Sequence, residues 1–400
     1  MKIIRKQFLE NVAQTSPSPL MVEVERAEGI YLITPEGDKI VDLVSGVSVS
    51  NVGHHNPKVV EAVVKQASQY MHTMVYGETV LRPQVEYATA LARNLGEGLD
   101  SVYFLNSGSE AVEGAMKLVK RHTGRTEIVS MKNAYHGSTH GALSIQGSEE
   151  FKTAFRPLLP DCKQIKFNCF EDLSEITTRT AGVFTEVVQG ESGVNLPDAE
   201  WILALRRRCD EVGAMLVVDE IQTGFGRTGT MFAFQQWDIR PDVVCLAKAL
   251  GGGMPLGAFV SSGEIMLDLT HSPVLGHITT FGGNPVCCAA GLAALGVIEE
   301  DGLCENAARM GGIFERKLSG HTFVKEIRRS GLIMAVELGS SDRLFAVMDG
   351  LLKSGYMSDW FLFCDTAFRI SPPLVINEDE VNKTCKDICR VLSEAQQLFA

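Results

Sequence analysis

The sequence is poor in cysteine and in positive charge. Its ten cysteines are spread over 400 residues and form no CxxC pair, so their spacing gives no indication of a zinc or dithiol redox site and favours reduced thiols. Acidic residues outnumber basic ones 49 to 37, which gives a formal net charge of −12. A protein that binds nucleic acid by neutralising phosphates is therefore not expected.

The sequence also lacks an apolar run of membrane-spanning length. Its longest apolar stretch, residues 285–298, covers about 14 residues where a membrane helix needs about 20. We interpret this stretch as a buried helix and expect no membrane partner. Because the N-terminal residues contain no apolar run of signal-peptide length, we expect a cytoplasmic protein.

The chain does contain enough apolar material for a large core. Hydrophobic residues make up 45% of the sequence and charged residues 22%, a composition that excludes a disordered chain, a collagen and a coiled coil. At about 100–200 residues per domain, the length indicates two to three domains.

The middle of the chain alternates short apolar runs with helix-like segments, as βαβ units around a mostly parallel sheet do. Helices are expected from Asn56-Pro57 onward, from about Arg82 to Gly96, and from Ser109 onward. We predict a large α/β domain at 48–290 and a smaller domain formed by an N-terminal segment, 1–47, and a C-terminal segment, 291–400. The apolar runs predict strands at residues 102–105, 127–131, 183–187, 215–218, 243–246 and 258–261.

Three glycine-rich motifs could contact a ligand. The run 224–229 (GFGRTG) matches the dinucleotide pattern GxGxxG, but no helix is expected directly after it, which disfavours a nucleotide site. The run 106–111 (NSGSEA) lies between a strand and a helix, where free amides and the helix dipole favour phosphate; an ordinary helix cap is the alternative. The run 248–255 (KALGGGMP) begins with Lys248 after an apolar strand, although a surface lysine ahead of a flexible loop would look the same.

A carboxylate ends another apolar run. Asp219 closes MLVVD, where it is either an exposed strand end or a charge held for a cationic partner. A strand-end lysine, a strand-end aspartate and a helix start suited to phosphate together match the needs of pyridoxal phosphate. An amine binds its aldehyde covalently, a carboxylate keeps its pyridine nitrogen protonated, and a helix N terminus holds its phosphate. We therefore expect pyridoxal phosphate as the cofactor.

The sequence resembles the class III pyridoxal-phosphate aminotransferases, which include ornithine and acetylornithine aminotransferases. The N-terminal stretch GIYLITPEGDKIVDLVSGVSVSNVGHHNP is similar to that family, so the resemblance covers nearly the whole chain. Seven further stretches occur in the family's order: NSGSEAVEGAMKLVKRHTGR, AYHGSTHGAL, EVVQGESGV, VVDEIQTGFGRTG, CLAKALGGGMPLGA, HITTFGGNP and FRISPPLVI.

The resemblance implies a fold and an assembly. The fold is the α/β type I pyridoxal-phosphate transferase fold, with a large domain around a mostly parallel sheet and a smaller α/β domain built from both chain ends. The assembly is a homodimer with shared active sites at the subunit interface. Matched motif by motif, the resemblance also implies catalytic roles for Lys248, as the cofactor-binding lysine, and for Asp219, as the partner of the pyridine nitrogen.

The resemblance assigns further cofactor-binding residues. Gly108 and Ser109 would bind the phosphate, and Tyr135 would stack on the ring. Gln222 would lie near the ring hydroxyl, and Thr280 would reach the phosphate of the neighbouring subunit's cofactor. Core packing for Tyr135 and loop capping for Thr280 are the alternatives.

Three residues match substrate positions of the family. Arg369 corresponds to an arginine that holds the α-carboxylate of glutamate or 2-oxoglutarate in a two-bond fork. Glu191 resembles the glutamate that pairs with this arginine while a donor without a carboxylate there is bound. Glu186 matches a second acidic position of the same motif. A solvated surface ion pair is the alternative for Glu191 and Arg369.

Two departures from the family pattern concern the amine donor. Ser138 stands where ornithine and acetylornithine aminotransferases usually have an arginine for the far carboxylate of the donor. Val47 stands where the ornithine-type tyrosine is expected. Both differences weaken an ornithine assignment and leave room for a diamine, an ω-amino acid or a donor that other residues bind.

The histidine pair His136 and His140 has the spacing of helical metal ligands. Gly137, however, favours a loop there, and no third ligand follows nearby, so no metal is expected.

The expected function is transfer of an amino group, from a terminal amine of an ornithine-like, diamine or ω-amino acid donor, to a 2-oxo acid such as 2-oxoglutarate by a ping-pong mechanism. Other reactions on the same scaffold, those of a racemase, an aminomutase or a decarboxylase, are the nearest alternatives. A non-catalytic binding protein with the same fold is a third, which intact Lys248 and Asp219 disfavour.

Overall fold

The computed structural model describes residues 3–399; residues 1, 2 and 400, parts of the predicted terminal segments, lie outside the described residues. The α-helices are α1 Ile3–Asn11, α2 Ser45–Ser48, α3 Pro57–Gln69, α4 Arg82–Leu95, α5 Gly108–Thr123, α6 His140–Ser144, α7 Ala199–Val212, α8 Gly263–Met266, α9 Pro285–Glu300, α10 Leu303–Leu318, α11 Ser341–Lys353 and α12 Glu378–Gln397. Short 3₁₀ helices span Thr153–Phe155, Glu171–Glu175, Ala233–Gln236, Lys248–Gly251 and Leu267–Thr270.

Within residues 3–399, fifteen strands form three sheets. The strands are β1 Arg26–Glu28, β2 Tyr31–Ile33, β3 Lys39–Asp42, β4 Ser101–Leu105, β5 Glu127–Met131, β6 Cys162–Ile165, β7 Thr180–Glu186, β8 Met215–Asp219, β9 Val243–Leu246, β10 Gly257–Ser261, β11 Glu326–Ser330, β12 Ile333–Glu337, β13 Tyr356–Met357, β14 Trp360–Phe361 and β15 Cys364–Ile370.

The central sheet has seven strands in the order β4-β10-β9-β8-β7-β5-β6. Only β10 runs antiparallel to its neighbours; the pairs β9–β8, β8–β7, β7–β5 and β5–β6 are parallel. The carboxyl ends of six strands therefore meet at one edge, where α/β proteins bind ligands. The predicted mostly parallel α/β sheet is confirmed.

Alternating side chains of the central strands fill two layers of core. In β8, Met215 and Val217 pack in the cluster under α5, while Leu216 and Val218 face the opposite cluster. Strands β7, β8, β9 and β10 are buried at every residue, as expected for a sheet covered on both faces. This rigid sheet fixes the positions of the loops at its edge.

Local sequence signals explain where several helices begin. Asn56 caps α3 by accepting a hydrogen bond from the Lys58 amide at 3.1 Å, and Pro57 is its first residue. Ser107 caps α5 by accepting a hydrogen bond from the Glu110 amide at 3.2 Å. The apolar stretch that begins at Pro285 forms the buried helix α9, as the sequence predicts.

Both chain ends contribute to the two smaller sheets. One has the order β1-β2-β3-β13 and the other β11-β12-β15-β14. Strand β13, from the C-terminal part, pairs in parallel with β3, from the N-terminal part. The predicted domain limits at 47/48 and 290/291 stay predictions, and α9 runs across the second of them. Within residues 3–399, none of the helices has the length and apolarity needed to span a bilayer.

Strand β6 was not predicted, and β7 begins earlier than expected. Strand β6 has the sequence CKQI and lies at the edge of the sheet, with only Ile165 fully buried. An edge strand needs no continuous apolar run, so it leaves a weak signal in the sequence. Strand β7 starts at Thr180 rather than residue 183 and ends at Glu186.

Candidate active site

A cavity of about 450 Å³ opens at the carboxyl edge of the central sheet. The loops that follow β4, β5, β8 and β9 contribute to its walls, together with Glu186 at the end of β7. Its lining includes seven of the residues singled out from the sequence: Gly108, Ser109, Tyr135, Glu186, Asp219, Gln222 and Lys248.

Lys248 lies two residues beyond β9, at the start of a 3₁₀ turn. Its backbone is in the left-handed region, with φ of 52°, an unusual conformation for a non-glycine residue that is often found at functional sites. Burial lowers the pKa of its ammonium group, because desolvation outweighs the attraction of Glu191 and Asp219. A lysine with a lowered pKa is suited to covalent chemistry as a neutral amine.

Asp219 ends β8 and is held by two hydrogen bonds. Its Oδ2 lies 2.7 Å from Nδ1 of His136, and its Oδ1 accepts from the Ile221 amide at 2.9 Å. Burial disfavours charge on His136, but the hydrogen bond to Asp219, with the charges of Asp219 and Glu186, outweighs it and raises the pKa of the imidazole. The aspartate therefore stays oriented at the base of the cavity.

The sequence suggests His136 only as half of a possible metal pair, and no metal is expected there. In the structure His136 bonds to Asp219, while Nε2 of His140 lies 3.1 Å from the carbonyl oxygen of Phe155. Among residues 3–399 there is no group of three or more metal-ligating side chains. The positioning role of His136 was missed because its partner is 83 residues away in the sequence.

The start of α5 forms a narrow cradle at one side of the cavity. Glycine at 108 leaves room for the Ile221 side chain, which would have to shift because a Cβ there would lie 2.9 Å from its Cδ1. Glycine is required at 137, where φ is 129° and a Cβ would collide with Ser109 Oγ. The cradle brings the first amides of a sixteen-residue helix to the cavity, an arrangement that suits a phosphate group.

Tyr135 and Gln222 lie on other parts of the wall. The hydroxyl of Tyr135 is 3.2 Å from Ser138 Oγ, so the aromatic ring and the serine that replaces the family's arginine are neighbours. Gln222 donates from Nε2 to Glu191 Oε1 at 3.3 Å. Through Gln222 the cavity is connected to the ion pair behind it.

Arg369 and Glu191 form a buried ion pair rather than a surface one. Arg369 Nη2 donates to both carboxylate oxygens of Glu191, at 2.9 and 3.0 Å, and the two residues are 1% and 6% exposed. Burial alone would raise the pKa of Glu191, but the charges of Arg369 and Lys248, together with hydrogen bonds from Arg369 and the Leu362 amide, outweigh it and lower that pKa below its ordinary value. Both residues lie behind Gln222 rather than among the described lining residues.

A second carboxylate, Asp359, was not predicted. Arg369 Nε donates to Asp359 Oδ1 at 2.8 Å, and its guanidinium carbon lies 4.6 Å from the centre of the Phe361 ring. Burial raises the pKa of Asp359 to about 6, although Arg369 opposes this shift. Arg369 Nη1 is buried and has no hydrogen-bond partner within the described chain. One guanidinium N–H group is thus left for a further acceptor.

Glu186, at the end of β7, lines the cavity and also supports its loops. Its two carboxylate oxygens accept from the amides of Tyr135 at 3.2 Å and Gly190 at 3.0 Å. Burial raises its pKa to about 7. Its role toward substrate stays a prediction.

Thr280 is exposed and is not among the described residues that line the cavity. It follows Thr279, whose Oγ1 accepts from Asn106 Nδ2 at 3.1 Å. The segment that carries Thr280 therefore lies beside the loop leading into α5.

The short helical element α2, Ser45–Ser48, is a left-handed turn and lies close to the cavity wall formed by Val49. All four of its residues have φ between 51° and 64°, including Val47 at 60°, which costs about 1–2 kcal/mol per non-glycine residue. Buried Arg227 stabilises the turn by donating to Ser45 Oγ at 3.2 Å and to Asn51 Oδ1 at 2.6 Å. Arg227 belongs to the GFGRTG motif. The motif therefore stabilises this turn through its arginine.

These residues fit pyridoxal phosphate. The cavity combines an amine, Lys248, that makes no hydrogen bond or ion pair within residues 3–399 with a fixed carboxylate, Asp219, and a glycine cradle at a helix start. The comparisons with known proteins agree. The family model described as aminotransferase class-III matches residues 12–392.

The chain belongs to the class-III aminotransferase family.

Named relatives of this aminotransferase match it over nearly its whole length. The acetylornithine aminotransferase of Methanopyrus kandleri is 38% identical over 391 residues, covering 97% of this chain and 98% of that protein. A transaminase from the marine bacterium Virgibacillus has a TM-score of 0.94 at 28% identity, covering 100% of both chains. The ornithine aminotransferase of Toxoplasma gondii, whose structure contains pyridoxal phosphate at partial occupancy, has a TM-score of 0.90 at 28% identity, covering 98% and 94%.

The family confirms the type I transferase fold and the activity predicted from the sequence. The chain is a pyridoxal-phosphate-dependent aminotransferase that transfers an amino group to a 2-oxo acid.

Proposed function

We propose that this aminotransferase takes the amino group of a terminal amine and delivers it to 2-oxoglutarate in a ping-pong cycle, with Lys248 as the reacting lysine. The observation that carries the proposal is the position of Lys248. Its amine lies at the carboxyl edge of the sheet, has a lowered pKa and makes no hydrogen bond or ion pair within residues 3–399.

Pyridoxal phosphate supplies, when bound, an aldehyde that condenses with amines and a pyridinium ring that accepts electrons. Lys248 would hold the cofactor before the substrate arrives. Once the substrate amine replaces it, the free Lys248 amine would move the proton at the substrate carbon. Burial supports this role because it favours the neutral form of Lys248.

Asp219 would hold the proton on the pyridine nitrogen, and His136 would keep Asp219 in position. The 2.7 Å contact between them supports this arrangement. Gly108 and Ser109 would bind the phosphate at the start of α5, and Tyr135 would cover one face of the ring. Gln222 would lie near the ring hydroxyl.

Arg369 would bind the α-carboxylate of 2-oxoglutarate. While the amine donor is bound, Glu191 would neutralise Arg369, as the 2.9 Å contact between them supports. For 2-oxoglutarate to bind, Glu191 would swing away and the free Nη1 would complete a two-bond fork. Asp359 would keep its hydrogen bond from Arg369 Nε and so hold the guanidinium group in position.

The donor would carry its reactive amine at a chain end. Ser138 and Val47 supply no positive charge for a second carboxylate, so a donor that needs an arginine there is disfavoured. The acetylornithine and ornithine aminotransferases among the relatives make a related ω-amine donor the natural candidate.

We further propose a cytoplasmic homodimer in which Thr280 reaches the cofactor phosphate of the neighbouring subunit. Segments at 71–80 and 274–281 lie side by side, since the His72 and Phe281 rings are 5.0 Å apart. They leave large apolar side chains exposed: Met71, Met74, Val80, Val274, Ile278 and Phe281. Such a patch favours a protein interface. All ten cysteines are free thiols, which favours a reducing compartment.

Borohydride trapping tests the proposal. Reduction of the holoenzyme, followed by digestion and mass spectrometry, is expected to find the cofactor attached to the peptide containing Lys248. Lys248→Ala is expected to lose amino transfer, whereas the control Lys386→Ala, at an exposed position of α12, keeps it. A cofactor attached to another lysine would refute the assignment. Turnover of the amine without a 2-oxo acid would favour a racemase, aminomutase or decarboxylase instead.

A further inference from the structure

A second cavity, of about 550 Å³, lies next to the one that contains Lys248. Tyr135 lines both cavities, and Ser138 lines the second. The two cavities thus meet at the aromatic ring and at the serine that replaces the family's arginine. The full lining of the second cavity is Thr15, Tyr135, Ser138, His140, Leu143, Gln146, Phe151, Phe155 and Leu362.

The walls of the second cavity are mainly apolar. Leu143 is buried, Phe155 and Leu362 are 59% and 43% exposed, and Phe151 packs edge-to-face on Phe363 with ring centres 5.4 Å apart. The described lining contains no lysine, arginine, aspartate or glutamate. A charged group placed against these apolar side chains would lose part of its hydration without gaining an ion pair from the lining, which is unfavourable.

The one imidazole of the described lining, that of His140, is held by a backbone contact. Its Nε2 lies 3.1 Å from the Phe155 carbonyl oxygen, which can only accept, so Nε2 carries a hydrogen in this arrangement. Within the described residues, His140 takes part in no ion pair.

Gln146 is the one deeply buried polar side chain of this lining. It is 1% exposed, and its Oε1 is buried without a hydrogen-bond partner within residues 3–399. A buried amide oxygen left without a donor is costly, and such orphans are uncommon in native proteins. A ligand that donates an N–H or O–H hydrogen to this oxygen would remove the cost.

We propose that the second cavity binds the far end of the amine donor, and that this end is an uncharged, mainly apolar chain carrying an N–H or O–H group for Gln146. The inference rests on the proposed function, because it assumes that the donor's amine reacts at Lys248. Ser138 then acts as an opening between the two cavities, where an arginine would close the passage and demand a carboxylate.

Four amines of matched length test this proposal on the native holoenzyme. They are hexylamine, 6-aminohexan-1-ol, 6-aminohexanoate and 1,6-diaminohexane, and the readout is kcat/KM of the amine half-reaction from single-turnover absorbance. The alcohol is expected to exceed hexylamine by about fivefold, the worth of one hydrogen bond. The carboxylate and the diamine are expected to fall below hexylamine by at least about tenfold, because each brings an unpaired charge.

Variants at Gln146 and Ser138 test whether these residues cause the differences among the four amines. Gln146→Met removes the amide at similar size, so the alcohol-to-hexylamine ratio is expected to fall to about one. Gln69→Met makes the same change at an exposed position of α3 and is expected to keep the native ratio. Ser138→Arg is expected to raise kcat/KM for the carboxylate relative to hexylamine.

These experiments distinguish a failure of the proposed amino transfer from a failure of the inference about the far end of the donor. If none of the four amines reacts although the cofactor is bound, the proposed function fails and this inference with it. If all four react at similar rates, or if the carboxylate or the diamine is preferred, amino transfer stands and the uncharged-tail inference is overturned. A native alcohol-to-hexylamine ratio in Gln146→Met would overturn the role of Gln146 even if that order of amines is found.

Discussion

Asp219 and His136 form a buried hydrogen-bonded pair. The negative charge of Asp219 would decide whether the nitrogen of the cofactor ring carries a proton. The Asp219 carboxylate favours a proton on His136 and, in the proposed mechanism, on the pyridine nitrogen as well. Two donors sharing one carboxylate keep it oriented without solvent. In that mechanism, the charge of the Asp219 side chain would control the electron-accepting strength of the cofactor.

Replacing Asp219 by asparagine tests that control. Asp219→Asn keeps the size of the side chain but removes its charge, so the ring nitrogen would lose its proton. We expect the rate of the chemical step to fall about 100-fold or more, comparable to the loss of one electrostatic contact in an active site. The rate is measured by single-turnover absorbance, with cofactor content determined separately.

The control is Asp238→Asn, an identical change at an exposed position, which is expected to behave as the native enzyme. Near-native chemistry in Asp219→Asn with cofactor bound would remove Asp219 from the mechanism. A loss explained entirely by missing cofactor would assign it a binding role only.

At the same scale, some site residues can be predicted from the sequence and others cannot. Lys248 and Asp219 follow short apolar runs, and the carboxyl ends of such runs meet in an α/β sheet. Asp359 and His136 carry no comparable signal. Asp359 contacts Arg369 at 2.8 Å, and His136 contacts Asp219 at 2.7 Å. Only the folded chain brings the members of each pair together.

Secondary-structure elements near the site follow their local signals closely. Helix α4 spans Arg82–Leu95 and stops at Gly96 with φ of 93°, as glycine allows. Strands β5 and β9 match the predicted residues. The left-handed turn Ser45–Ser48 could not be predicted, because its conformation opposes the preference of Val47. Tertiary hydrogen bonds from Arg227 hold it instead.

Glu220 links two elements behind the site and gives stability a pH dependence. It follows β8 and accepts the Phe234 amide at 2.7 Å, at the start of the 3₁₀ helix Ala233–Gln236. Burial raises its pKa from 4.5 to about 7. The native state then binds this proton more tightly than the unfolded chain, so the contribution is fully present below about pH 4.5 and is lost as pH rises through 7.

Glu220→Gln is expected to flatten this dependence. The native protein should lose up to about 3 kcal/mol between pH 4.5 and 7 through Glu220 alone, and the variant should lose correspondingly less. Urea unfolding at pH 5 and pH 8 measures the difference. Glu61→Gln, at an exposed position of α3, should keep the native pH dependence. An equal pH dependence in Glu220→Gln and the native protein would contradict the raised pKa.

At the scale of the whole molecule, the site joins parts of the chain that are far apart in sequence. Lys248 and Asp219 come from the central sheet, whereas Arg369 lies on β15 in a sheet of the C-terminal part. Ser45, from the N-terminal part, donates to the Ser371 carbonyl oxygen at 2.8 Å. This contact lies two residues beyond Arg369, so both chain ends fix the position of the arginine relative to the cofactor cavity.

In the proposed mechanism, one site serves two unlike substrates because Arg369 alternates between Glu191 and an acceptor carboxylate. The most direct measurement compares the two half-reactions of Arg369→Ala by single-turnover absorbance, with Arg390→Ala as a matched change on the exposed face of α12. Removing Arg369 also leaves Glu191 and Asp359 without their cation, which costs roughly 3–5 kcal/mol, so folding is verified first by thermal unfolding.

Arg369→Ala is expected to lower kcat/KM for 2-oxoglutarate at least about 100-fold, the worth of two charge-assisted hydrogen bonds. The amine half-reaction should fall less than about tenfold, because its donor has no carboxylate at Arg369. Equal losses in both half-reactions of the folded variant would refute this mechanism, since Arg369 would then support the site as a whole and Glu191 would not act as a gate.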